Sequence, residues 1–447
     1  MVKDSRFYSA FFRMAIVLVL QNVITLSVNL ADNIMLGAYS EISLSGVTAV
    51  NQIQFIYQQL LSAAGEGIVI LGSQYFGQQK YEPMRKLTTI AMRFALALCI
   101  CLFALVSLCP HLVLTAFTPD EAIISEGMRY INIIRFTYVF FAITQILLAT
   151  LRSRGIVRIA LGLSVWALIC NCCINYTLIY GHFGAPEMGV AGAAIGTLVA
   201  RITELIILCI FIIRRDSSIL TSLKKITETD RLLTRDYFKV VYPILVVSGL
   251  WGLNTAMQNM ILGHMGDGTI AANSVASNMF LLVKSMAVGT SSTAAFFIAK
   301  TIGEGNEQLL KSYAKTMQVL FVLVGLLSGA ALFLIRIPIL SLYHLSPDTM
   351  RMANSFLLIL CFVIVTMSYQ MPTNTGIIKG GGDTVYVMIM DIVSIWGIVI
   401  PISFVMAFVV KASPIIVLCC LNADQVFKCI PAFIKCNFGH WAKKLTR

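Results

Sequence analysis

Charged side chains are scarce in this chain of 447 residues. Asp, Glu, Lys and Arg make up 12% of the sequence, whereas hydrophobic residues make up 58%. Soluble globular domains carry about 25% charged residues, so the composition excludes an ordinary soluble fold and indicates a polytopic membrane protein. Spanning helices need about 20 apolar residues each. The apolar runs predict an all-α protein of about twelve such helices, centred near residues 22, 60, 98, 140, 168, 201, 250, 286, 323, 363, 395 and 423.

The sequence also lacks residue groupings that would support catalysis or a bound metal. Its five histidines are isolated, with no metal-ligand spacing: His111, His182, His264, His344 and His440. Most of the 12 cysteines lie inside apolar runs, and we interpret them as small residues of the membrane core. We therefore expect neither an enzyme nor a cofactor.

Acidic residues are outnumbered, which leaves a net charge of +12. Basic residues gather in alternate loops, so the excess of positive charge indicates the membrane topology and not nucleic-acid binding. The positive-inside rule then predicts that both termini are cytoplasmic, which requires an even number of spans. The expected location is a bacterial inner membrane. The basic loops contain Lys3 and Arg6; Lys80, Arg85 and Lys86; Arg152, Arg154 and Arg158; residues 214–239; Lys300 and Lys311; Lys379; and Lys443, Lys444 and Arg447.

An internal repeat relates the two halves of the chain at a constant offset of about 226 residues. Gly37 recurs as Gly263 and Gly77 as Gly303. Because six helices per half is an even number, both halves enter the membrane in the same sense, which predicts a parallel pseudo-two-fold repeat. The predicted organisation is a six-helix lobe over 1–213, a basic cytoplasmic linker over 214–239 and a second six-helix lobe over 240–447. Two such lobes are typical of a transporter.

A stripe of polar residues marks the first predicted helix. Asn22, Thr25, Asn29 and Asp32 are three or four residues apart, so a helix places them on one face. Such a face must contact protein, a water-filled cavity or a ligand, because hydrocarbon would leave it without hydrogen bonds. Asp32 is the ionisable member and the leading functional candidate. The alternative is that it only caps or anchors the helix at the outer headgroup level.

The repeat keeps this stripe only in part. At the same offset the first-half positions become Ser248, Trp251, Thr255 and Gln258. The second half therefore lacks the ionisable group, and Gln258 becomes a candidate for lining the cavity together with Asn22, Thr25 and Asn29. The two lobes are expected to be alike in fold and unequal in chemistry.

The fifth and sixth predicted helices carry a second polar group. Asn171 and Asn175 are one turn apart and share a helix face. Thr197 follows the small residues Gly192 and Gly196, which allow close helix approach. Hydrogen bonding between helices is the structural alternative for all three side chains.

Longer motifs resemble the MATE (multidrug and toxic compound extrusion) transporters, and the resemblance covers the whole chain. The motifs are the pattern from Asn171 to Ala194 (Asn-x-x-x-Asn-Tyr, then Gly181, Gly184, Pro186, Gly189 and Gly192-Ala-Ala), Asp32 to Gly37, Gly380 to Thr384, and Asp391 with Trp396 and Pro401. The resemblance implies two six-helix lobes and export of bulky, often cationic organic compounds in exchange for protons or sodium ions.

The same resemblance, to the DNA-damage-inducible-like branch of the family, implies a cation-coupling cluster. It would consist of Asp32, Asn171, Asn175 and Thr197. Relatives with a fuller cation site carry an Asp at the position of Asn175. With one carboxylate, the cluster is a poor shell for sodium, which favours the proton as coupling ion and leaves sodium at the same four residues as the alternative.

The second lobe offers three further candidates for the cavity or the substrate. They are Lys284 and Asp391, which lie in apolar runs, and Tyr369 in the tenth helix. Asp391 could instead support the lobe structurally. Small organic substrates and the lipid bilayer are the expected partners, and we expect the chain to act as a monomer.

Two other functions compete with export. The first is a flippase for lipids or lipid-linked oligosaccharides, which would line its cavity with several basic residues, whereas only Lys284 is a clear deep cation in the second lobe. The second is a membrane-embedded enzyme, which would need the His, Asp and Glu grouping that the sequence lacks.

Overall fold

The computed structural model describes residues 2, 4–115, 117–216, 230–341, 343 and 346–446. Within these ranges the regular structure is helical and no strand occurs. Eleven of the described helices are long and apolar enough to cross a membrane, and a bent helix pair brings the number to 12. Each predicted centre falls on one of these spans. The predicted all-α, polytopic membrane fold is confirmed.

The spans are numbered here α1 to α12 in chain order. They are α1 (Ser5–Tyr39), α2 (Glu41–Gly77), α3 (Tyr81–Leu108), α4 (Glu121–Ile134 with Thr137–Arg152), α5 (Arg158–Tyr180), α6 (Val190–Asp216), α7 (Arg231–Gly263), α8 (Asp267–Glu304), α9 (Glu307–Leu340), α10 (Pro347–Met371, extended by Pro372–Ile378), α11 (Thr384–Val409) and α12 (Pro414–Phe438).

Local sequence signals set several helix ends. Asn306 caps α9 by accepting a hydrogen bond from the backbone N–H of Leu309, and Ser346 caps α10 by accepting one from Thr349. Such side chains satisfy N–H groups that have no partner within the helix. Gly181 ends α5 with a φ of 71°, a left-handed conformation that glycine adopts without strain.

Several of the described spans are irregular. Helix α4 bends by 54° between its two segments. Helix α10 continues as a π-helix over Pro372–Ile378, where Pro372 has no N–H to give. Helix α11 contains a π-helical segment over Ile392–Val399, directly after Asp391. Short π-helical segments occur frequently at functional sites.

The chain forms two compact units. One unit consists of Leu20–Gly72 and Lys80–Lys239. The other contains Val240–Arg447 together with Met1–Val19 and Ser73–Gln79. The predicted lobes, 1–213 and 240–447, stay a prediction. Within the predicted linker, residues 217–229 lie outside the described residues, as does His344.

The second-half unit is held together around the beginning of α1. The ring of Phe7 stacks on Tyr313 of α9 at 4.4 Å between centroids and contacts Phe297 of α8 edge-on. Phe7 is buried. Close packing of such side chains contributes to the association of membrane helices. The first turns of α1 therefore pack on helices that lie almost 300 residues further along the chain.

Candidate functional site

The candidate site is a hydrogen-bonded cluster that joins α1, α5 and α6. Asn175 donates from Nδ2 to Oδ1 of Asp32 at 2.6 Å and to Oδ1 of Asn171 at 3.1 Å. Asn171 in turn donates from Nδ2 to Oγ1 of Thr197 at 3.2 Å. Both asparagines are buried. The structure thus brings together the four residues for which the family resemblance implied a cation-coupling role.

The position of Asn175 depends on the absence of a side chain in α6. A Cβ atom on Gly196 would overlap Oδ1 of Asn175. That oxygen is buried and has no hydrogen-bond donor. Glycine lets the two helices approach until the amide fits between them. The cluster therefore contains one buried acceptor atom without a donor.

Three residues that sequence reasoning missed surround the cluster. Tyr130 of α4 is buried, hydrogen-bonds Thr197 and lies within the electrostatic reach of Asp32. Arg201 also acts on Asp32 through space and forms an ion pair with Glu204 at 2.8 Å. Arg201 and Glu204 are three residues apart inside the apolar run of α6. That spacing of opposite charges was the signal that could have identified them.

The rest of the predicted stripe on α1 does not join the cluster. Thr25 and Asn29 are exposed, and Thr25 donates to the backbone oxygen of Gln21 at 2.9 Å. Asn22 is half-buried. Only Asp32 is turned towards α5. Roles for Asn22, Thr25 and Asn29 in lining a cavity stay predictions.

In the second-half unit, the predicted candidates lie in different surroundings. Gln258 has Asn254 of its own helix as its partner, at 3.4 Å. Tyr369 donates to Oε1 of Gln318 at 2.8 Å. The ammonium group of Lys284 lies 5.0 Å from the ring centroid of Trp251, which is a cation–π distance. None of these three contacts joins one of the candidates to another.

Asp391 belongs to a second charged cluster. Its Oδ1 accepts a hydrogen bond from Nζ of Lys428 at 2.8 Å, and Lys428 also donates to Asp424 at 3.0 Å. The sequence presented Asp424 and Lys428 only as interruptions of the last apolar run. Their four-residue spacing on α12 was the signal of a pair on one helix face.

The chemistry open to the first cluster follows from its composition. Asp32 is its only carboxylate, and it can bind or release a proton. The described part of the chain holds no group of three or more His, Cys, Asp or Glu side chains that could bind a metal ion. A sodium ion would have to rely on the carboxylate of Asp32, the free Oδ1 of Asn175 and neighbouring neutral oxygens.

Comparison with known families decides the class of protein. A family model described as MatE matches residues 18–177 and 243–405. The chain belongs to the MatE family. The two matched segments start near the beginning of each predicted lobe, as the internal repeat predicts. The MatE assignment confirms the resemblance that the motifs around Asp32 and Asn171 indicated.

Two relatives of this MatE chain match most of its length. It is 25% identical over 429 residues to the probable multidrug resistance protein NorM of Thermotoga maritima, covering 96% of this chain and 92% of the relative. It is 23% identical to the probable NorM of Streptococcus pneumoniae, covering 84% and 83%. Both relatives are named as probable multidrug resistance proteins.

Solved structures of MATE transporters share the fold. An outward-facing multidrug resistance MATE transporter has a TM-score of 0.85 to this chain at 16% identity, covering 96% of this chain and 94% of the other. A MATE structure in complex with MaL6 also has a TM-score of 0.85, at 16% identity and with coverage of 96% and 95%. At this identity the likeness shows the fold alone.

Proposed function

We propose that this protein is a secondary active exporter of organic, often cationic compounds, driven by protons entering through the Asp32 cluster. The observation that carries the proposal is a single carboxylate held inside a membrane helix bundle by the Asn175 amide. An ionisable side chain within a membrane span is by default a functional candidate. The names of the relatives, probable multidrug resistance proteins, support drugs as the substrates. We further propose an inner-membrane location, cytoplasmic termini and a monomeric working unit.

The hydrogen bonds suggest how a proton reorganises the cluster. An ionised Asp32 only accepts, so Asn175 must present its NH₂ group to it, and this leaves Oδ1 of Asn175 without a donor. A protonated Asp32 has an O–H to donate. Rotation of the Asn175 amide would then present Oδ1 as the acceptor of that O–H. Asn171 and Thr197 would have to reverse their hydrogen bonds in turn, and so carry the change from α1 to α6.

The available driving force is sufficient for export. A proton moving down a gradient of one pH unit releases about 1.4 kcal/mol. Moving its charge through 100 mV adds about 2.3 kcal/mol. Together these free energies can maintain a more than hundredfold ratio of substrate concentrations across the membrane for each proton exchanged with a neutral compound.

The arrangement favours the proton over sodium as coupling ion. An N–H of Asn175 contacts Asp32 at 2.6 Å, in the place where a sodium ion would bind the carboxylate. Both ions would require that amide to turn so that its oxygen faces Asp32, but a sodium ion would also need several further oxygen ligands. Proton binding satisfies the same atoms without a further ligand.

The test is efflux of ethidium from energised membrane vesicles, under a pH gradient alone and under a sodium gradient alone. We expect the pH gradient to drive efflux in the natural chain and Asp32→Asn to abolish it, because the amide cannot exchange a proton. Asp348→Asn is the matched control, since Asp348 is exposed in the first turn of α10.

Two results would contradict the proposal. Full pH-driven efflux by a normally inserted Asp32→Asn variant would remove Asp32 from coupling. Efflux driven by sodium alone would replace the proton by sodium and assign Oδ1 of Asn175 a role as a ligand.

A further inference from the structure

The unit formed by Leu20–Gly72 and Lys80–Lys239 contains a cavity between the beginnings of α2 and α4. One wall is made by residues 44–52 of α2, and the other by Phe117, Thr118 and Ile123. The volume is about 390 Å³. Cavities of about 300–1,000 Å³ are typical sites for small organic molecules. The described lining includes no member of the Asp32 cluster, so the cavity is separate from the site already discussed.

A close contact between two glycines holds the walls together. A Cβ atom on Gly46 of α2 would lie 2.8 Å from the backbone nitrogen of Gly127 in α4, so the two helices touch through their backbones. Glycine allows helices in a membrane to approach this closely. Ser43 also donates a hydrogen bond to Oε2 of Glu126 at 3.1 Å. The spacing of the two walls is therefore fixed by the packing of the fold.

The exposed face of α2 is polar, and its opposite face is apolar and buried. The side chains of the polar face are exposed or half-buried: Ser45, Thr48, Gln52, Gln59 and Ser62. The buried face contains Val50, Tyr57 and Leu61. Thr48 and Ser62 lie about 21 Å apart along the helix. Because hydrocarbon offers no hydrogen bonds to the amides of Gln52 and Gln59, this face must border a water-filled space, with the cavity at its beginning.

Acidic residues surround the cavity. Its described lining residues are themselves uncharged. Glu41 begins α2 and lies on the same helix face as Thr48, seven residues before it. Asp120 caps α4 and Glu121 begins it, directly before Ile123 enters the lining. These carboxylates give the entrance of the cavity a negative potential, which attracts cations.

Two basic side chains of this region are engaged with acids. Arg129 lies 3.0 Å from Glu126, and His111 lies 3.5 Å from Glu121. They therefore offer little attraction to an anion.

A flat organic cation fits the lining better than a metal ion does. The ring of Phe117 is 47% exposed and can stack on an aromatic ligand or attract its positive charge. Thr48 and Gln52 supply polar groups, and Ala49 leaves space between them. A metal ion would need carboxylate ligands within the lining.

We propose that this cavity is an outer binding site for an organic cation with a planar aromatic body, which it holds before release from the membrane. This inference rests on the proposed export. With the N-terminus in the cytoplasm, α1 crosses the membrane once before α2 begins, and α4 also begins on the outer side. The cavity then lies on the side to which the compounds are exported.

Photolabelling with an azide derivative of ethidium locates the site without any gradient. The full chain is purified in detergent and irradiated with and without excess ethidium, and labelled peptides are identified by mass spectrometry. We expect label within residues 44–52 and within residues 117–123, and excess ethidium should displace it. No label in either segment, or label that ethidium does not displace, would overturn the proposal.

Filling the cavity should remove the label. Ala49→Phe places a ring between the two walls, so labelling of both segments should be largely lost. Ala330→Phe is the matched control, because Ala330 is exposed in α9 and lies outside the lining. It should label like the natural chain. Equal labelling of the two phenylalanine variants would contradict the site.

Opposite charges at Thr48 test the preference for a cation. Thr48 is exposed to the cavity, so Thr48→Glu should lower the ethidium concentration that halves the labelling of residues 117–123, and Thr48→Lys should raise it. A single exposed charge pair changes affinity by up to about fivefold. A mere distortion of α2 would weaken binding in both variants, and that result would overturn the proposal.

Efflux separates the outer site from the function on which it rests. Labelling needs no coupling ion, whereas export of ethidium needs Asp32. Displaceable labelling without any ethidium efflux by the natural chain would reject ethidium export and retain the cation site. Efflux by the natural chain without label in either segment would overturn the outer site and leave export intact.

Discussion

Asn175 connects Asp32 to the rest of the first cluster, and Gly196 provides the space for its amide. We predict that Gly196→Ala impairs coupling, because the new Cβ overlaps Oδ1 of Asn175 and displaces the amide from Asp32 or Asn171. A hydrogen bond to a charged group contributes about 1.5–3 kcal/mol. Ethidium efflux driven by a pH gradient should therefore fall by about tenfold or more.

Gly162→Ala is the control for this prediction. Gly162 lies in α5, and a Cβ atom there would meet no atom within 4 Å. The Gly162→Ala variant should export ethidium at the rate of the natural chain. Equal efflux by both alanine variants would show that the position of the Asn175 amide does not matter for coupling.

Part of this site could be predicted from the sequence. The four-residue spacing of Asn171 and Asn175 predicts a shared face, and the structure agrees. The contact between Asn175 and Asp32 spans 143 residues, and only the resemblance to MATE transporters indicated it. Nothing in the local sequence of Tyr130 distinguishes it from an ordinary membrane tyrosine, because its role depends on neighbours from α1 and α6.

At the scale of elements, the last helix shows where a hydropathy profile misleads. Asn422, Asp424, Gln425 and Lys428 lower the apolar character of α12 and suggest an interrupted span. The structure indeed divides α12 into short segments, and two of these residues, Gln425 and Lys428, bind side chains of α10 and α11. Their partners lie 37 and 55 residues away, beyond the reach of any local pattern.

The C-terminal segment 439–446 binds back onto the loop before α11. Asp383, which is 4% exposed, accepts hydrogen bonds from Lys443 at 2.8 Å and forms an ion pair with Lys435 at 2.9 Å. The N–H of Lys443 also donates to the carbonyl oxygen of Gly381 at 2.8 Å. Burial by itself would raise the pKa of Asp383, but the hydrogen bonds and charges of Lys443 and Lys435 outweigh it and hold the pKa below its usual 3.8.

This lowered pKa predicts a pH-dependent contribution to stability. A carboxyl group with a depressed folded-state pKa stabilises the fold above its unfolded pKa, and the contribution is lost as the pH falls through the folded value. Asp383→Asn should therefore lower the thermal midpoint at about pH 7, corresponding to a loss on the order of 2 kcal/mol. The difference from the natural chain should shrink only below about pH 4.

Thermal unfolding in detergent at several pH values measures this difference. Asp348→Asn changes the same atoms at an exposed position and should leave the midpoint unchanged at every pH. A difference between Asp383→Asn and the natural chain that persists undiminished at about pH 3 would exclude the ionised carboxylate as its source.

At the scale of the whole molecule, the sequence determines how many helices there are more readily than which ones pack together. The composition and the repeat predict twelve spans because apolar length is a local property. The inclusion of 1–19 and 73–79 in the second-half unit depends on close contacts between distant segments. Gly77 and Gly303 are such a contact: they occupy equivalent positions in the repeat, and a Cβ on Gly77 would lie 3.1 Å from Cα of Gly303.

Residues 73–79, which contain Gly77, also bind the C-terminal residues. A change at Gly77 can therefore be detected at the C-terminus. Gln74 binds the backbone oxygen of Lys443 at 3.0 Å and the N–H of Leu445 at 2.9 Å, and Gln78 donates to Thr446 at 2.5 Å. Gly77→Ala would make a Cβ overlap the carbonyl oxygen of Lys300, at a cost of about 1–3 kcal/mol. We predict that residues 73–79 shift and that trypsin then cleaves after Lys443 and Lys444 faster than in the natural chain.

Mass spectrometry of the C-terminal peptides over a digestion time course measures this cleavage. Gly249→Ala is the control, because Gly249 of α7 has no atom within 4 Å of an added Cβ, and it should digest at the natural rate. A Gly77→Ala variant that is less stable but equally resistant at Lys443 would mean that the C-terminal segment is held by Gly381 and Asp383 alone. Faster cleavage would instead show that residues 73–79 help to hold the C-terminal residues in place. These residues lie in the first half of the chain.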